Sequence, residues 1–152
     1  MNLVLFGPPG AGKGTQAQSV CQNYGLGHLA TGNLFRAHIS NETPLGLRVK
    51  SILDAGELVP DSVVLDMVKE EIQKDDFKHG IVFDGFPRTV AQAEGLKEVL
   101  QNIGLSIDAF IMLDVPEDML VQRLLSRGEG RSDDTEEKIT HRLEVYRKET
   151  SP

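Results

Sequence analysis

Nine residues near the amino terminus combine glycines, a lysine and a hydroxyl at a spacing typical of phosphate binding. Residues 7–15 read Gly-Pro-Pro-Gly-Ala-Gly-Lys-Gly-Thr. Glycines let backbone N–H groups converge on an anion, because no side chain blocks the approach. Lys13 adds a positive charge, and the first turn of a following helix adds a partial one. The predicted contacts to a nucleotide phosphate come from Gly10, Ala11, Gly12, Lys13, Gly14 and Thr15.

The flanking sequence supports this interpretation. An apolar run at residues 3–6 precedes the loop, and helix-forming residues 16–22 follow it. Strand, glycine-rich turn and helix in this order are the context that the motif G-x-x-x-x-G-K requires. The spacing from Gly7 to Lys13 fits the motif, whereas the hydroxyl that follows the lysine is displaced to Thr15.

Asp84 is a second residue with the right chemistry, because it ends a buried strand predicted at residues 80–84. In proteins with a phosphate loop such a strand lies beside the first one, so Asp84 is expected to face the phosphates. Mg²⁺ prefers carboxylate oxygens and retains several waters. Asp84 is therefore predicted to hold Mg²⁺, directly or through water. Its alternative role is to cap the turn that begins at Gly85.

The elements that must position these residues predict an α/β protein. Four short apolar runs are the predicted strands: residues 3–6, 28–30, 80–84 and 109–113. Their alternation with helices indicates a parallel sheet wrapped by helices. Residues 31–67 are predicted to be purely helical, with Thr31 at one N-cap and Asp61 or Ser62 at another. We interpret this segment as an inserted subdomain, and residues 1–30 with 68–152 as the core.

Composition narrows the class of protein. The 152 residues carry a net charge of −7, which argues against broad nucleic-acid binding but allows a small anionic ligand. No apolar run approaches the roughly 20 residues that span a bilayer, and no secretory signal is expected. Cys21 is the single cysteine, so a reducing, cytoplasmic compartment is expected. We also expect a monomer.

Several motifs together resemble the adenylate kinases, of the nucleoside monophosphate kinase family. They are the loop at 7–15 with its Gly14-Thr15 order, Thr31-Gly32 with Arg36, Val59-Pro60-Asp61, Gly85-Phe86-Pro87-Arg88 and Arg131-Ser132-Asp133-Asp134. The resemblance covers essentially the whole chain. It implies a three-layer P-loop kinase fold with a parallel sheet and a helical AMP-binding insertion at residues 31–67. It also implies the Mg²⁺-dependent reaction ATP + AMP ⇌ 2 ADP.

The resemblance assigns an acceptor site. Arg36 and Arg88 would grip the AMP phosphate, a task that suits the planar guanidinium fork. Gln92 would read the adenine edge, since its amide both donates and accepts. The remaining AMP contacts would come from Thr31, Gly32, Glu57, Leu58, Val59 and Gly85. The Phe86–Pro87 peptide bond is a candidate cis bond that would aim Arg88.

The resemblance also assigns arginines to the donor site. Arg123 and Arg127 would contact ATP, and they lie four residues apart on one face of a predicted helix. Catalysis would rest on positioning and charge neutralisation. The residues assigned to it are Lys13, Arg88, Arg123, Arg131 and Arg142. Asp133 and Asp134 either cap the last helix or help to place Mg²⁺.

The chain departs from the family pattern at three places. Asn33 stands where the pattern Thr-Gly-Asp usually has aspartate. The lid is reduced to about residues 127–131, so it should cover the site incompletely or close by small motions. After residue 152 the family continues with a strand and a helix. Without them we expect an unpaired sheet edge and uncovered apolar surface.

Two alternatives to an AMP kinase stay open. A UMP or CMP kinase would share the architecture, but those enzymes usually carry an asparagine-containing pattern where this chain has Thr89 and Gln92, which favour AMP. A truncated nucleotide-binding chain with little turnover is the second alternative. A GTPase switch is not supported, because the sequence contains no Asn-Lys-x-Asp signature.

Overall fold

Four parallel strands form one sheet in the order β2-β3-β1-β4. The computed structural model describes residues 1–126 and 136–151. The strands are β1 Asn2–Phe6, β2 Gly27–Ala30, β3 Ile81–Asp84 and β4 Ala109–Met112. The helices are α1 Lys13–Tyr24, α2 Thr31–Ser40, α3 Pro44–Asp54, α4 Asp61–Glu71, α5 Val90–Asn102, α6 Glu117–Ser126 and α7 Glu136–Val145. The predicted α/β class with a parallel sheet is confirmed.

The two faces of the sheet are covered separately, which gives three layers. Successive side chains of a strand point to opposite faces. Accordingly, Ile81 and Phe83 pack in a large cluster with α2, α3, α4 and α5. Val82, between them in the chain, packs with Leu3 and with Ala17 of α1 on the other face. The predicted three-layer arrangement is therefore confirmed.

The register of the sheet brings two turns together. Leu5 of β1 pairs with Asp84 of β3, and Phe6 pairs with Met112 of β4. Parallel strands end at the same edge, so the loop after β1 and the turn after β3 leave the sheet side by side. Ligands of open α/β sheets bind at this carboxyl edge.

Two predicted helix caps are wrong. Helix α2 begins at Thr31 itself, and the Thr31 hydroxyl donates to the Gly85 carbonyl oxygen at 3.2 Å. Helix α4 likewise begins at Asp61 without a side-chain cap, because the Asp61 carboxylate accepts hydrogen bonds from Thr89 and Gln92. Both side chains are committed to contacts between elements, which a local capping pattern does not reveal.

Strand β4 forms one edge of the sheet. All four of its residues are exposed, and Phe110 and Met112 retain 58% and 56% of their accessible surface. Within the described ranges no strand pairs with its outer side. Strand β4 thus presents an apolar edge among the described residues.

Some predictions fall outside the described residues. They concern the lid at 127–131 with Arg127 and Arg131, and the pair Asp133 and Asp134. These stay predictions. In the ranges that are described, no helix has the length and apolar character to cross a membrane.

Helix α7 continues into a wider π-helical segment, Tyr146–Thr150, whose first residue contains a buried hydroxyl. The Tyr146 ring lies 5.9 Å from the Phe6 ring, between centroids. Its hydroxyl oxygen has no hydrogen-bonding partner among the described residues. Burial, and secondarily the negative charge of Asp114, raises the pKa of this hydroxyl above its ordinary 10.0.

The Tyr146→Phe variant should be more stable than the wild type. A buried polar group without a partner costs about 1–3 kcal/mol, so we expect the free energy of unfolding to rise by about 1 kcal/mol, or the Tm by about 3 °C.

Because the raised pKa of Tyr146 holds the proton in the folded state, wild-type stability should also fall above about pH 10, where the unfolded chain ionises first. Thermal unfolding at pH 7 and pH 10.5 measures both effects. If the Tyr146→Phe variant and the wild type had the same Tm at pH 7 and again at pH 10.5, the hydroxyl could not be a buried group without a partner.

Candidate active site

The loop between β1 and α1 requires glycine at two positions for different reasons. Gly10 and Gly12 have φ angles of +85° and +96°, in the left-handed region that L side chains rarely adopt. A Cβ on Gly10 would also lie 3.0 Å from Leu124 Cγ and 3.1 Å from the Leu120 carbonyl oxygen. Around Gly12 nothing lies within 4 Å of such a Cβ, so backbone conformation alone selects glycine there. The loop thus packs against α6 on one side and opens on the other.

Lys13 is the first residue of α1, and its side chain folds back over the loop. Its Nζ donates to the carbonyl oxygens of Gly7 and Pro8, at 2.9 and 3.0 Å. The ammonium group therefore lies at the mouth of the loop, beside the N-terminus of α1, where the helix dipole is positive. This arrangement fits the predicted phosphate contacts of the loop.

A cleft of about 1070 Å³ opens beside this loop. Most of the predicted phosphate-binding residues line it. Its basic lining residues are Lys13, Arg36, Arg88, Arg123 and Arg142. Asp84 is the only carboxylate among the described residues that line it. The cleft is thus positive although the whole chain carries −7, and a positive cleft attracts anionic ligands.

Asp84 faces the loop. A Cβ on Gly14 would lie 3.7 Å from Asp84 Oδ2, and the same oxygen lies 2.9 Å from His28 Nε2. No group of three or more His, Cys, Asp or Glu residues converges in the described ranges. One carboxylate beside a phosphate loop suits Mg²⁺, which keeps several waters and takes ligands from substrate phosphates. The residues present therefore fit this ion.

His28 is a site residue that the sequence reasoning missed. The sequence analysis assigns it no role, because the four histidines show no metal-ligand spacing. Its strand, β2, lies directly beside β3, and His28 lines the cleft with Asp84. A polar residue in an otherwise apolar short strand was the signal that could have found it.

The turn after β3 brings three predicted acceptor residues into contact. Gly85 has a φ of +76°, and the following Phe86–Pro87 peptide bond is cis. The Gly85 carbonyl oxygen accepts from Arg88 Nε at 2.6 Å and from the Thr31 hydroxyl. The Arg88 guanidinium is thereby oriented by the turn that precedes it, and it lines the cleft.

Arg36, on α2, also lines the cleft. Its Nη2 donates to Asn33 Oδ1, one turn earlier on the same helix. Asn33 is one of the departures from the family pattern. Its amide oxygen, which accepts the hydrogen bond from Arg36, carries no net charge. An aspartate at position 33 would add a negative charge beside this guanidinium. The structure thus places Arg36 and Arg88 on the same cleft, as the acceptor-site prediction requires.

Gln92 is buried and bonded to protein groups, which differs from what is expected of a residue that contacts the adenine base. Its side chain is only 2% exposed. Its Oε1 accepts from the Arg88 backbone N–H at 2.7 Å, and its Nε2 donates to Asp61 Oδ1 at 3.0 Å. In this structure Gln92 therefore braces the Arg88 turn. Contact with a base stays a prediction.

The predicted residues 57–59 lie between α3 and α4, close to α7. Val59 is buried in the large core cluster, while Leu58 lines a cavity of about 70 Å³ together with Arg88 and Arg142. Residues 57–61 also line a cavity of about 540 Å³ that α7 closes on its other side. Glu57 contacts His141 of α7 there.

Comparisons of the sequence with known proteins identify relatives of this chain. A family profile described as adenylate kinase matches residues 5–152. The adenylate kinase of Corynebacterium diphtheriae is 53% identical over 152 residues, which is 100% of this chain and 83% of that protein. The adenylate kinase of Mycobacterium sp. (strain MCS) is 52% identical with the same coverage.

A third relative differs in length within the matched region. The adenylate kinase of Bacillus subtilis is 46% identical over an alignment of 181 positions, covering 100% of this chain and 83% of that protein. This alignment exceeds the 152 residues of the chain by 29, so that relative carries insertions which this chain lacks. Identity of about half over the whole chain, together with the family profile, shows that the chain belongs to the adenylate kinase family.

Proposed function

We propose that this chain is an adenylate kinase that catalyses the reversible, Mg²⁺-dependent transfer of a phosphoryl group from ATP to AMP. The observation that carries the proposal is the 1070 Å³ cleft, in which five basic residues and Asp84 surround the glycine-rich loop. Transfer between two nucleotides places many phosphate charges in one space, and catalysis depends on positioning and neutralising them. We also propose that the chain acts as a monomer in the cytoplasm.

The donor side of the cleft would use the loop as a P-loop. Backbone N–H groups of residues 10–15 would bind ATP phosphates, helped by the N-terminus of α1. Lys13 Nζ would exchange its bonds to the Gly7 and Pro8 carbonyls for phosphate oxygens. Arg123 of α6 and Arg142 of α7 line the same cleft, where they would neutralise the transferred group. The predicted roles of Arg127 and Arg131 belong to the same side.

The acceptor side would bind AMP between the segment 31–67, proposed as the AMP-binding subdomain, and the turn at 85–88. Arg36 and Arg88 both line the cleft and suit bidentate contact with one phosphate. Thr31, Gly32, Leu58 and Val59 would surround the nucleoside. The hydrogen bond that Gln92 accepts from the Arg88 backbone N–H, and the one that Thr31 donates to the Gly85 carbonyl, would keep Arg88 oriented before the substrate arrives.

Asp84 would hold Mg²⁺ through water at the phosphates. The bound ion would neutralise charge between the donor phosphates. Asp84 itself is oriented by His28, whose Nε2 contacts the Oδ2 oxygen. Because this contact already orients the carboxylate, Asp84 would lose little conformational entropy on accepting a hydrogen bond from a water molecule coordinated to the ion.

Arg88→Ala should lower kcat by about 100-fold or more, because a preorganised donor to transition-state charge is lost. Arg88→Lys keeps the charge without the fork and should recover only part of the rate. A coupled assay for ADP formation measures both variants, with thermal unfolding as a check on folding. A normal rate combined with a lowered Tm would assign Arg88 a purely structural role.

Asp84→Asn should raise the Mg²⁺ concentration needed for half-maximal rate by about tenfold or more, since an amide is a weaker ligand than a carboxylate. Binding of ATP without metal should change little. Asp66→Asn, on the exposed side of α4, is the matched control. An unchanged Mg²⁺ dependence in Asp84→Asn would remove this residue from the metal site.

Substrate preference separates AMP kinase activity from its alternatives. With ATP as donor, kcat/KM should be at least about tenfold higher for AMP than for UMP or CMP, because base contacts discriminate at this scale or above. Equal rates with UMP would refute the AMP assignment. Tight nucleotide binding without turnover would instead identify a nucleotide-binding chain.

A further inference from the structure

Two hydrogen bonds in series connect the first residue of α4 to the backbone of Arg88. Asp61 Oδ1 accepts from Gln92 Nε2 at 3.0 Å, and Gln92 Oε1 accepts from the Arg88 N–H at 2.7 Å. Among the described residues, Asp61 lines the 540 Å³ cavity rather than the 1070 Å³ cleft. Asp61 therefore reaches the Arg88 turn through Gln92, from outside the cleft that holds the basic residues.

The chemistry of the two end groups determines how the Gln92 amide is oriented. A carboxylate accepts hydrogen bonds, and a backbone N–H donates them. The amide NH₂ of Gln92 must therefore face Asp61, and the amide oxygen must face Arg88. Rotating the amide by 180° would set two acceptors against each other at Asp61 and two donors against each other at Arg88. The Asp61 carboxylate thus selects the orientation in which Gln92 can hold the Arg88 N–H.

Burial makes this orientation important. Gln92 is only 2% exposed, so bulk water has little access to an amide group that loses its partner. A buried polar group without a partner is strongly destabilised. If Asp61 were removed, Gln92 would either keep an unpaired NH₂ or turn towards another acceptor and release the Arg88 N–H. A change at Asp61 should therefore be transmitted to the Arg88 turn.

Thr89 provides a second connection to the same carboxylate. Its hydroxyl donates to Asp61 Oδ1 at 2.9 Å, and its oxygen accepts from the Gln92 backbone N–H at 3.1 Å, which caps α5. On the other side of the turn, Arg88 Nε donates to the Gly85 carbonyl oxygen at 2.6 Å. The backbone that carries Arg88 and the side chain itself are thus fixed by separate contacts.

We propose that Asp61 is a positioning residue for phosphoryl transfer, which fixes the backbone at Arg88 through Gln92 and Thr89 and thereby aims the guanidinium at the acceptor phosphate. This inference rests on the proposed function, in which Arg88 binds that phosphate. Asp61 touches no reacting group in this scheme. A displacement of about 1 Å in a positioned group can lower a rate by about 100-fold, so Asp61 should affect catalysis although it lies outside the cleft.

The hydrogen bond to Arg88 can be tested without substrate. In Asp61→Ala, NMR should show the Arg88 backbone amide exchanging its hydrogen at least about tenfold faster than in the wild type, because the Gln92 oxygen is no longer held against it. Asp66→Ala, at an exposed position of the same helix, is the matched control and should leave this rate unchanged. An Arg88 amide that exchanges equally fast in Asp61→Ala and the wild type would overturn the proposal.

A double-mutant cycle tests whether Asp61 acts through Arg88. Asp61→Ala should lower kcat/KM for AMP about tenfold in the coupled assay, and Asp61→Asn, which keeps one acceptor oxygen, about threefold. In an Arg88→Ala background, neither substitution should lower kcat/KM further, because the group that they displace is absent. Tm should fall by the same amount in both backgrounds, since the contacts of Asp61 to Gln92 and Thr89 are lost in each.

The outcomes separate Asp61 from the proposed function. Equal fold losses of kcat/KM in the wild-type and Arg88→Ala backgrounds would overturn the positioning role and leave Asp61 a structural residue. If Asp61→Ala does not fold, Asp61→Asn completes the same cycle. Binding of AMP without turnover by the wild type would overturn the kinase activity instead. The Kd of AMP, measured by titration calorimetry in the same four proteins, would then decide whether Asp61 acts through Arg88.

Discussion

The parallel pairing of β1 with β3 is the constraint on which the site depends. It sets Leu5 beside Asp84, so that the glycine-rich loop and the Gly85 turn emerge at the same edge. A shift of one residue would send each side chain of β3 to the opposite face of the sheet. Asp84 would then leave the cleft, and Phe83 would leave the core cluster that α5 covers. Burial of Phe83 and placement of Asp84 are therefore secured by the same register.

Around that edge, hydrogen bonds orient charged groups before any ligand arrives. The Gly85 carbonyl fixes Arg88 Nε, Asn33 holds Arg36, and His28 orients Asp84. Five basic residues gathered in one cleft repel one another, and an anionic ligand offsets this repulsion. Nucleotide binding should therefore stabilise the fold as well as serve the chemistry. The acidic surface elsewhere keeps the chain's net charge at −7.

Local signals in the sequence predicted the strands, the glycine-rich loop and the position of Asp84, because each depends on residues that are neighbours in the chain. The caps at Thr31 and Asp61 were wrong because both side chains serve distant partners, Gly85 in one case and Thr89 with Gln92 in the other. His28 beside Asp84 was missed for the same reason. Such contacts depend on strand order and helix packing, which no periodicity encodes.

The outer edge of β4 affects how the chain behaves at high concentration. An edge strand presents unpaired backbone donors and acceptors, and Phe110 and Met112 add an apolar surface beside them. Two such edges can extend each other's sheets, and the probability of this encounter rises with the amount of protein present. The side of the sheet remote from β2 is therefore, among the described residues, a surface at which two copies are expected to pair as the concentration rises.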